Sequence, residues 1–473
     1  MTNEVCCVFP FWSQSDAMNW DSNYAYLRRI LPGLSERLPG WLWLMTWPQR
    51  SKGADVWRFS DDGLFNEKIV RFPWPYDTAM RSSVQAWDVD RFKLLDSQGI
   101  TVYWMHQVES ALQVKYGYAG SFNLNAHPAT VAQQHYIIHK SLPYPFESQL
   151  PRLWTQMGGT IASDRVVFNS QHCYRMAEES FGLFLNEHAW EAIAAKSQVL
   201  PFGLVDEAMF DLKIPKPGIE QVPVVIYNHR FENYKQPQLT ADALNEMRRR
   251  GHKFEVWVTQ YVGQEIKAFP VDRVVGDPDQ SVYLRNIAVP GLNVINSLHE
   301  TFCISMQDSI ALGQLPVAPR AVTFPELVPD DYPWLFKDEK EQLDMLDHIL
   351  TTWPEEWVKW SGKLRAFARE VFGIEGYMDR YADILQTEAL KPRKAKAKEK
   401  NRVKIERALD NLPHGDYPVT ELSGKFRAQI GLQSQAMPNR RVVRELVDRG
   451  ASLTYRNNSV HLRWAGKSKG ESS

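Results

Sequence analysis

Cysteine is scarce: 473 residues hold four, Cys6, Cys7, Cys173 and Cys303. None forms a C-x-x-C pair, and no Cys/His group has zinc spacing, which argues against a disulfide framework and a zinc module. Adjacent Cys6 and Cys7 sit in an apolar run and read as small packed hydrophobes, as suits a reducing compartment. The expected location is therefore the cytoplasm. No apolar run of about 18 residues occurs, so no membrane span is expected. "MTNEVCCVFPF" has no basic n-region and no long apolar h-region, so no signal peptide is expected.

Net charge is also lacking, at −1 for the whole chain. The balance conceals a split. Residues 391–473 carry 19 Lys+Arg against 8 Asp+Glu, which leaves 36 against 48 for residues 1–390. An acidic body joined to a basic tail suggests a polyanionic partner for the tail. What the chain has in quantity is tryptophan, 17 in all, most of it expected in packing.

The length exceeds what one core fills, so several domains are expected. "EVCCVFPF" (4–11) opens as a buried strand, and "YAYLRRILPGL" follows as a helix. "ITVYWMH" (100–106) and "QHYIIH" (134–139) are apolar runs that each end in a histidine, and "TIASDRVVFNS" (160–170) reads as a further strand. Strands alternating with helices imply a parallel α/β sheet. "KIPKPGIEQVP" (213–223) is a proline-punctuated linker. Beyond it, "VPVVIYNHR", "QLTADALNEMRRRG" and "KFEVWVTQ" form a βαβ unit, and "GLNVINS" with "MQDSIALG" continues a second α/β domain. Residues 355–390 are helical in pattern and suited to packing back across both domains. "KPRKAKAKEKNR" (391–402) is a basic linker or helix extension. Residues 403–473 then read as three short helices and a hairpin turning at Asn457-Asn458, a winged-helix outline.

The chemistry concentrates in two stretches. In "HETFCISMQDS" (299–309), Glu300 would stand at the end of a strand and Asp308 within the following helix. Open α/β sheets bind ligands at the carboxyl ends of their strands, and the amides of "TFCIS" would offer a helix N-terminus to a phosphate. In "YNHRFENYKQP" (227–237), Arg230 and Lys235 follow a strand of the same domain. They would either neutralise a diphosphate leaving group or form a salt-bridging surface turn.

"HETFCISMQDSIALGQLPVAP" resembles the E-x7-E segment of retaining, nucleotide-sugar-dependent glycosyltransferases of family 4, and "YNHRFENYKQP" resembles their Arg-x4-Lys phosphate clamp. The resemblance is strongest to the branch containing tRNA-queuosine mannosyltransferases, and "HYIIHKSLPYP", "ASDRVVFNSQ" and "VLPFGL" resemble its other segments. It covers roughly residues 5–330. Asp308 stands where that pattern has a second glutamate, and "PFWSQSDAMNW" replaces a glycine-rich loop. The implied fold is GT-B: a Rossmann-like acceptor domain (1–212) facing a Rossmann-like nucleotide-sugar domain with a return helix (213–390). The implied roles are Glu300, with Thr301 and Phe302, on the donor sugar, Asp308 on the nucleotide ribose, and Arg230 and Lys235 on the diphosphate. His139 would face the cleft near the sugar. His106 is a second candidate from strand position alone. No protein base is implied, and no metal or other cofactor is expected, because the two cations do that work.

The tail bears on the acceptor. Arg440, Arg441 and Arg444 share one face of the third helix in "PNRRVVRELVDRG", backed by valines and a leucine. Arg456 on the hairpin and Lys394 and Lys396 in the linker suit phosphate contacts. A winged helix used for protein contacts is the alternative. A nucleic-acid module on a nucleotide-sugar transferase implies a nucleic-acid acceptor, here a hydroxymethylated pyrimidine in double-stranded DNA flipped into the cleft and glycosylated, with UDP-glucose the expected donor. The alternatives are a tRNA base as acceptor, or a DNA-binding regulator that senses nucleotide sugar without turnover.

Overall fold

The computed structural model describes residues 4–10, 22–49, 64–75, 98, 100–106, 108–112, 114–115, 128–142, 145–218, 220–260, 268–277, 279–391, 415–418, 451–456 and 459–464. Two parallel sheets organise it. The first has seven strands in the order β3-β2-β1-β4-β5-β6-β7: β1 (Val5–Phe9), β2 (Leu42–Gln49), β3 (Ile69–Pro75), β4 (Val102–Met105), β5 (Ala129–Gln134), β6 (Arg165–Phe168) and β7 (Ser197–Val199). The second has six in the order β10-β9-β8-β11-β12-β13: β8 (Val224–Tyr227), β9 (Glu255–Val258), β10 (Arg273–Val274), β11 (Gly291–Val294), β12 (Leu315–Pro319) and β13 (Leu335–Phe336). Each order reverses once, beside β1 and beside β8, and such a reversal opens a crevice at the strand ends.

The strands form where the chain is apolar throughout. "VCCVF", "VYWM" and "VVIY" are buried at every position, as strands covered on both faces must be. Helices intervene as the polar periodicity predicts. Pro237–Arg249 begins with proline at its first turn and ends before Gly251 at φ +94°, a conformation open to glycine.

Two expectations fail locally. Residues 160–170 are not one strand: helix Phe146–Ala162 runs into them and β6 starts only at Arg165. Nor does a strand run to His139, because β5 stops at Gln134 and residues 135–139 are irregular. In both stretches the apolar run extends past the strand, because helix and loop side chains are buried against the same core.

The return segment is two helices, Glu355–Phe372 and Ile374–Leu390, hinged at Gly373. The second packs on the first sheet. Tyr377 Oη lies 2.5 Å from Tyr26 Oη, Trp104 Nε1 donates to Tyr381 Oη at 2.8 Å, and Arg165 pairs with buried Glu388 at 3.1 Å. Val205 exchanges backbone hydrogen bonds with Phe372 and Ile374, so the crossing is laced at its hinge.

At the C-terminus β15 (Ser452–Arg456) and β16 (Ser459–Trp464) form the expected hairpin, Arg456 opposite Ser459. A third strand, β14 (Gly415–Pro418), pairs antiparallel with β16 and has no strand-like pattern in the sequence. The three tail helices, with Arg440, Arg441 and Arg444, fall outside the described residues, as do Lys394 and Lys396. Among the described residues no helix is long and apolar enough to cross a membrane.

The crossing depends on one close approach. A Cβ at Gly203 would stand 2.3 Å from Tyr377 Cβ and 2.8 Å from the Gly373 carbonyl oxygen. Gly203→Ala is expected to destabilise the fold by about 1–3 kcal/mol. Gly362→Ala, in open space on an adjoining helix, is expected to gain about 0.5–1 kcal/mol. Urea midpoints of the two variants check both signs.

Candidate active site

The segments that leave the strands of both sheets converge on one cleft of about 470 Å³. Its first wall includes Asn23, His135, Tyr136, Arg152 and Asn169. Its second runs from Asn228 through Arg230 and Lys235 to Glu300, Thr301 and Phe302. Arg230 and Glu300, which belong to different loops of the second domain, line the same space.

Lys235 and Glu300 form an ion pair in which both side chains are buried. Burial alone would lower the Lys235 ammonium, but the Glu300 carboxylate outweighs it and the net shift is upward. Arg230 differs. Its side chain is 55% exposed, it pairs with Glu232 at 2.9 Å, and it donates to Tyr234 Oη at 2.8 Å. One cation is thus fixed deep and the other reaches in from the rim. Ile304 and Ser305 of the eight-residue helix Ile304–Ala311 also line the cleft, and Cys303 before it gives that helix no side-chain cap. Asn228 ties this turn to the end of β8 by donating to the Ser305 carbonyl at 2.9 Å.

Asp308 is placed otherwise than the resemblance implies. Its buried carboxylate meets Arg29 of the first domain at 3.2 and 3.4 Å, and it is not among the residues lining the cleft. Burial pushes its carboxyl up and Arg29 offsets part of that.

Beside Arg152, the first wall presents uncharged histidine and amide groups. His135 stands directly after β5, its Nε2 2.7 Å from His106 Nδ1 and 3.0 Å from Asn23 Nδ2. Burial lowers His135 to about 3, and burial with the adjacent His135 lowers His106 well below the usual imidazole range. His106 is itself sealed from the cleft. His139, expected at the sugar, is not among the lining residues: its Nε2 meets Glu179 at 3.0 Å and its Nδ1 meets Ser141 at 2.8 Å. The chain leaves the sheet at Gln134, five residues before the apolar run ends, so His135 takes the strand-end position.

The walls are joined by hydrogen bonds. Thr301 Oγ1 donates to the His135 carbonyl, and Ser170 Oγ donates to the Thr301 carbonyl. Atoms of His229, Glu300 and Cys303 lie within 4.8 Å of one another. Lys235 already holds that carboxylate, and burial pushes the Cys303 thiol up to about 12. Arg456 lies in the terminal sheet, in β15.

Comparison with known proteins places this geometry. No family model matches the chain. It is 27% identical over 193 residues to a tRNA-queuosine alpha-mannosyltransferase of Drosophila melanogaster, covering 36% of this chain. The match spans about half, 51%, of that curated relative's length. Among solved structures, sucrose-phosphate synthase of Thermosynechococcus elongatus superposes with TM-score 0.59 at 14% identity, over 81% of this chain and 98% of that one. An alpha,alpha-trehalose 6-phosphate synthase of Burkholderia multivorans gives 0.56 at 11%, over 82% and 99%. An E. coli trehalose-6-phosphate structure bound with UDP-2-fluoro glucose gives 0.54 at 12%, over 81% and 99%. The chain has the GT-B fold.

In this GT-B frame the motif residues Arg230, Lys235, Glu300, Thr301 and Phe302 come together as the sequence implies, whereas Arg29, Asn23, Tyr136, Arg152 and His229 were not foreseen. Arg29 and Asn23 share one helix, Ser22–Arg37, and Arg152 lies on another, while His229 and Tyr136 sit inside quoted segments without a pattern that marks them, so only the fold assembles the set. His135 alone had a signal, as the other histidine of "QHYIIH".

Two measurements test the electrostatics. Lys235→Met strands the Glu300 charge and is expected to cost about 3–5 kcal/mol, with Lys235→Met/Glu300→Gln costing less than that single change, as urea unfolding would show. Acid also destabilises. The unfolded histidines bind protons below about pH 6.5, whereas the fold keeps His106 neutral and His135 neutral to about 3. Stability is therefore complete above pH 6.5 and falls as pH drops through that window, by at most about 1.4 kcal/mol per unit for each suppressed proton. His106→Asn is expected to flatten that slope between pH 6.5 and 4.

Proposed function

We propose that the chain is a glycosyltransferase that moves a hexose from a nucleotide-diphosphate sugar onto a nucleic-acid base, with retention of configuration. The observation that carries this is one cleft lined by Arg230, Lys235, Glu300 and the start of helix Ile304–Ala311. Positive charge and helix amides gather where a diphosphate would depart, and a buried carboxylate stands beside them where sugar hydroxyls would be held. Neither cation lies idle before substrate binds, since each has a carboxylate partner. A diphosphate would take over Arg230 from the rim and share Lys235 with Glu300.

In the reaction the bond from the anomeric carbon to the diphosphate oxygen breaks, and a bond to the acceptor hydroxyl forms on the same face. The hydroxyl proton leaves with the diphosphate. The transition state is oxocarbenium-like, and the two cations stabilise the charge left on the leaving group. UDP-glucose is the first choice of donor. The structural neighbour bound with UDP-2-fluoro glucose supports a nucleoside-diphosphate hexose of that kind. The arginine and lysine supply the charge for which a metal would otherwise be needed, so EDTA is expected to leave the rate unchanged.

For the acceptor we retain a hydroxymethylated pyrimidine in double-stranded DNA, on the strength of the basic tail. A tRNA base is the second reading, favoured by the match to the fruit-fly tRNA-queuosine alpha-mannosyltransferase. Labelled UDP-glucose and GDP-mannose offered with hydroxymethyl-pyrimidine DNA and with queuosine-containing tRNA separate the two, by mass analysis of the hydrolysed nucleosides. Glu300→Ala is expected to lower transfer at least 100-fold and to leave nucleic-acid binding intact. Equal turnover by wild type and variant would instead support a sensor that binds nucleotide sugar without using it.

A further inference from the structure

Asn23, His106 and His135 come from three separate places, the helix after β1, the end of β4 and the loop after β5, yet they share one hydrogen-bonded knot at the cleft floor. Their protons can be assigned. Asn23 Nδ2 is a donor and lies 3.0 Å from His135 Nε2, so that nitrogen accepts. His106 Nδ1 lies 2.7 Å from the same nitrogen, so it must donate, and the longer 3.5 Å approach of Asn23 Nδ2 to that Nδ1 is then a contact between two donors rather than a hydrogen bond. The far side of His106 agrees independently. Its Nε2 is fully buried with no hydrogen-bond partner, where a bare lone pair is tolerated more readily than an orphaned N–H. Both lines put the His106 proton on Nδ1.

The neutral His135 ring then has one place left for its own proton. Its Nδ1 has no hydrogen-bond partner among the described residues, is not among the buried unpartnered atoms, and belongs to a residue lining the cleft. We infer that Asn23 and His106 act as positioning residues that fix the tautomer of His135, so that its Nδ1–H faces the cleft as a hydrogen-bond donor to a substrate oxygen. The ring is neither base nor acid. Nδ1 already holds its proton, and the lone pair of Nε2 is occupied twice over. The backbone of His135 is fixed as well, because its carbonyl accepts from Thr301, the neighbour of Glu300. A hydroxyl held by Glu300 as acceptor would thus meet an N–H donor on the facing wall. The substrate half of this inference rests on the proposed function; the proton assignment does not.

The test is a long-range proton–nitrogen correlation spectrum of 15N-histidine-labelled full-length protein at pH 7, with His135 assigned by its loss in His135→Asn. The expected spectrum shows a protonated Nδ1 and a bare Nε2 for His135; the opposite tautomer, or an average of the two, overturns the assignment. In Asn23→Asp the amide donor becomes an acceptor, and a proton is expected to appear on Nε2. Retention of the wild-type tautomer in that variant would show that Asn23 does not set it. Calorimetry with UDP-glucose then reads the ligand half: Asn23→Asp is expected to bind about tenfold more weakly. Unchanged affinity, or no binding by the wild type, removes the substrate oxygen from the account while the spectrum still judges the tautomer.

Discussion

The structure turns on Thr301. Its hydroxyl donates to a carbonyl at the end of the first sheet, and its own carbonyl accepts from Ser170 at the start of a first-domain helix. Glu300 on one side and the helix Ile304–Ala311 on the other are therefore held against the opposite domain. Neither sheet forms this site alone. Each delivers strand-end loops to a crevice, as open parallel sheets do, and the Thr301 hydrogen bonds hold one set against the other.

The charges follow from that arrangement. The second-domain wall is ionic, with Lys235 and Glu300 paired and buried and Arg230 paired nearer the rim. The first-domain wall sets the neutral His135 imidazole and the Asn23 amide beside Arg152. A buried ion pair contributes little net stability relative to apolar packing, and neutral buried histidines weaken the fold in acid. Both features cost stability, and they leave fixed charge on one wall and a fixed imidazole and amide on the other. The Arg29–Asp308 contact joins the same two domains by a third route, from within the helix that begins at the site.

Much of this was legible in the residues. Buried strands announce themselves as unbroken apolar runs, and glycine and proline mark where the helix between β8 and β9 starts and stops. The motif around 300 and the Arg230/Lys235 pair could be expected in one cleft because both lie just past strands of one sheet, where local sequence and spatial position coincide. The same logic misled at residues 134–139. Loop side chains buried under the sheet are as apolar as the strand itself, so the run hid the strand's end and drew attention to His139 instead of His135.

The sequence by itself determined the two α/β halves and which segments follow the strands of the second, because periodicity and turn chemistry act over a few residues. Only the tertiary structure decided which groups face that wall: Asn23, His106 and His135, 112 residues apart at the extremes, and the capture of Asp308 by Arg29 across 279 positions. Such contacts are set by where parallel strands end relative to one another and by how two domains meet, and no local pattern encodes those distances.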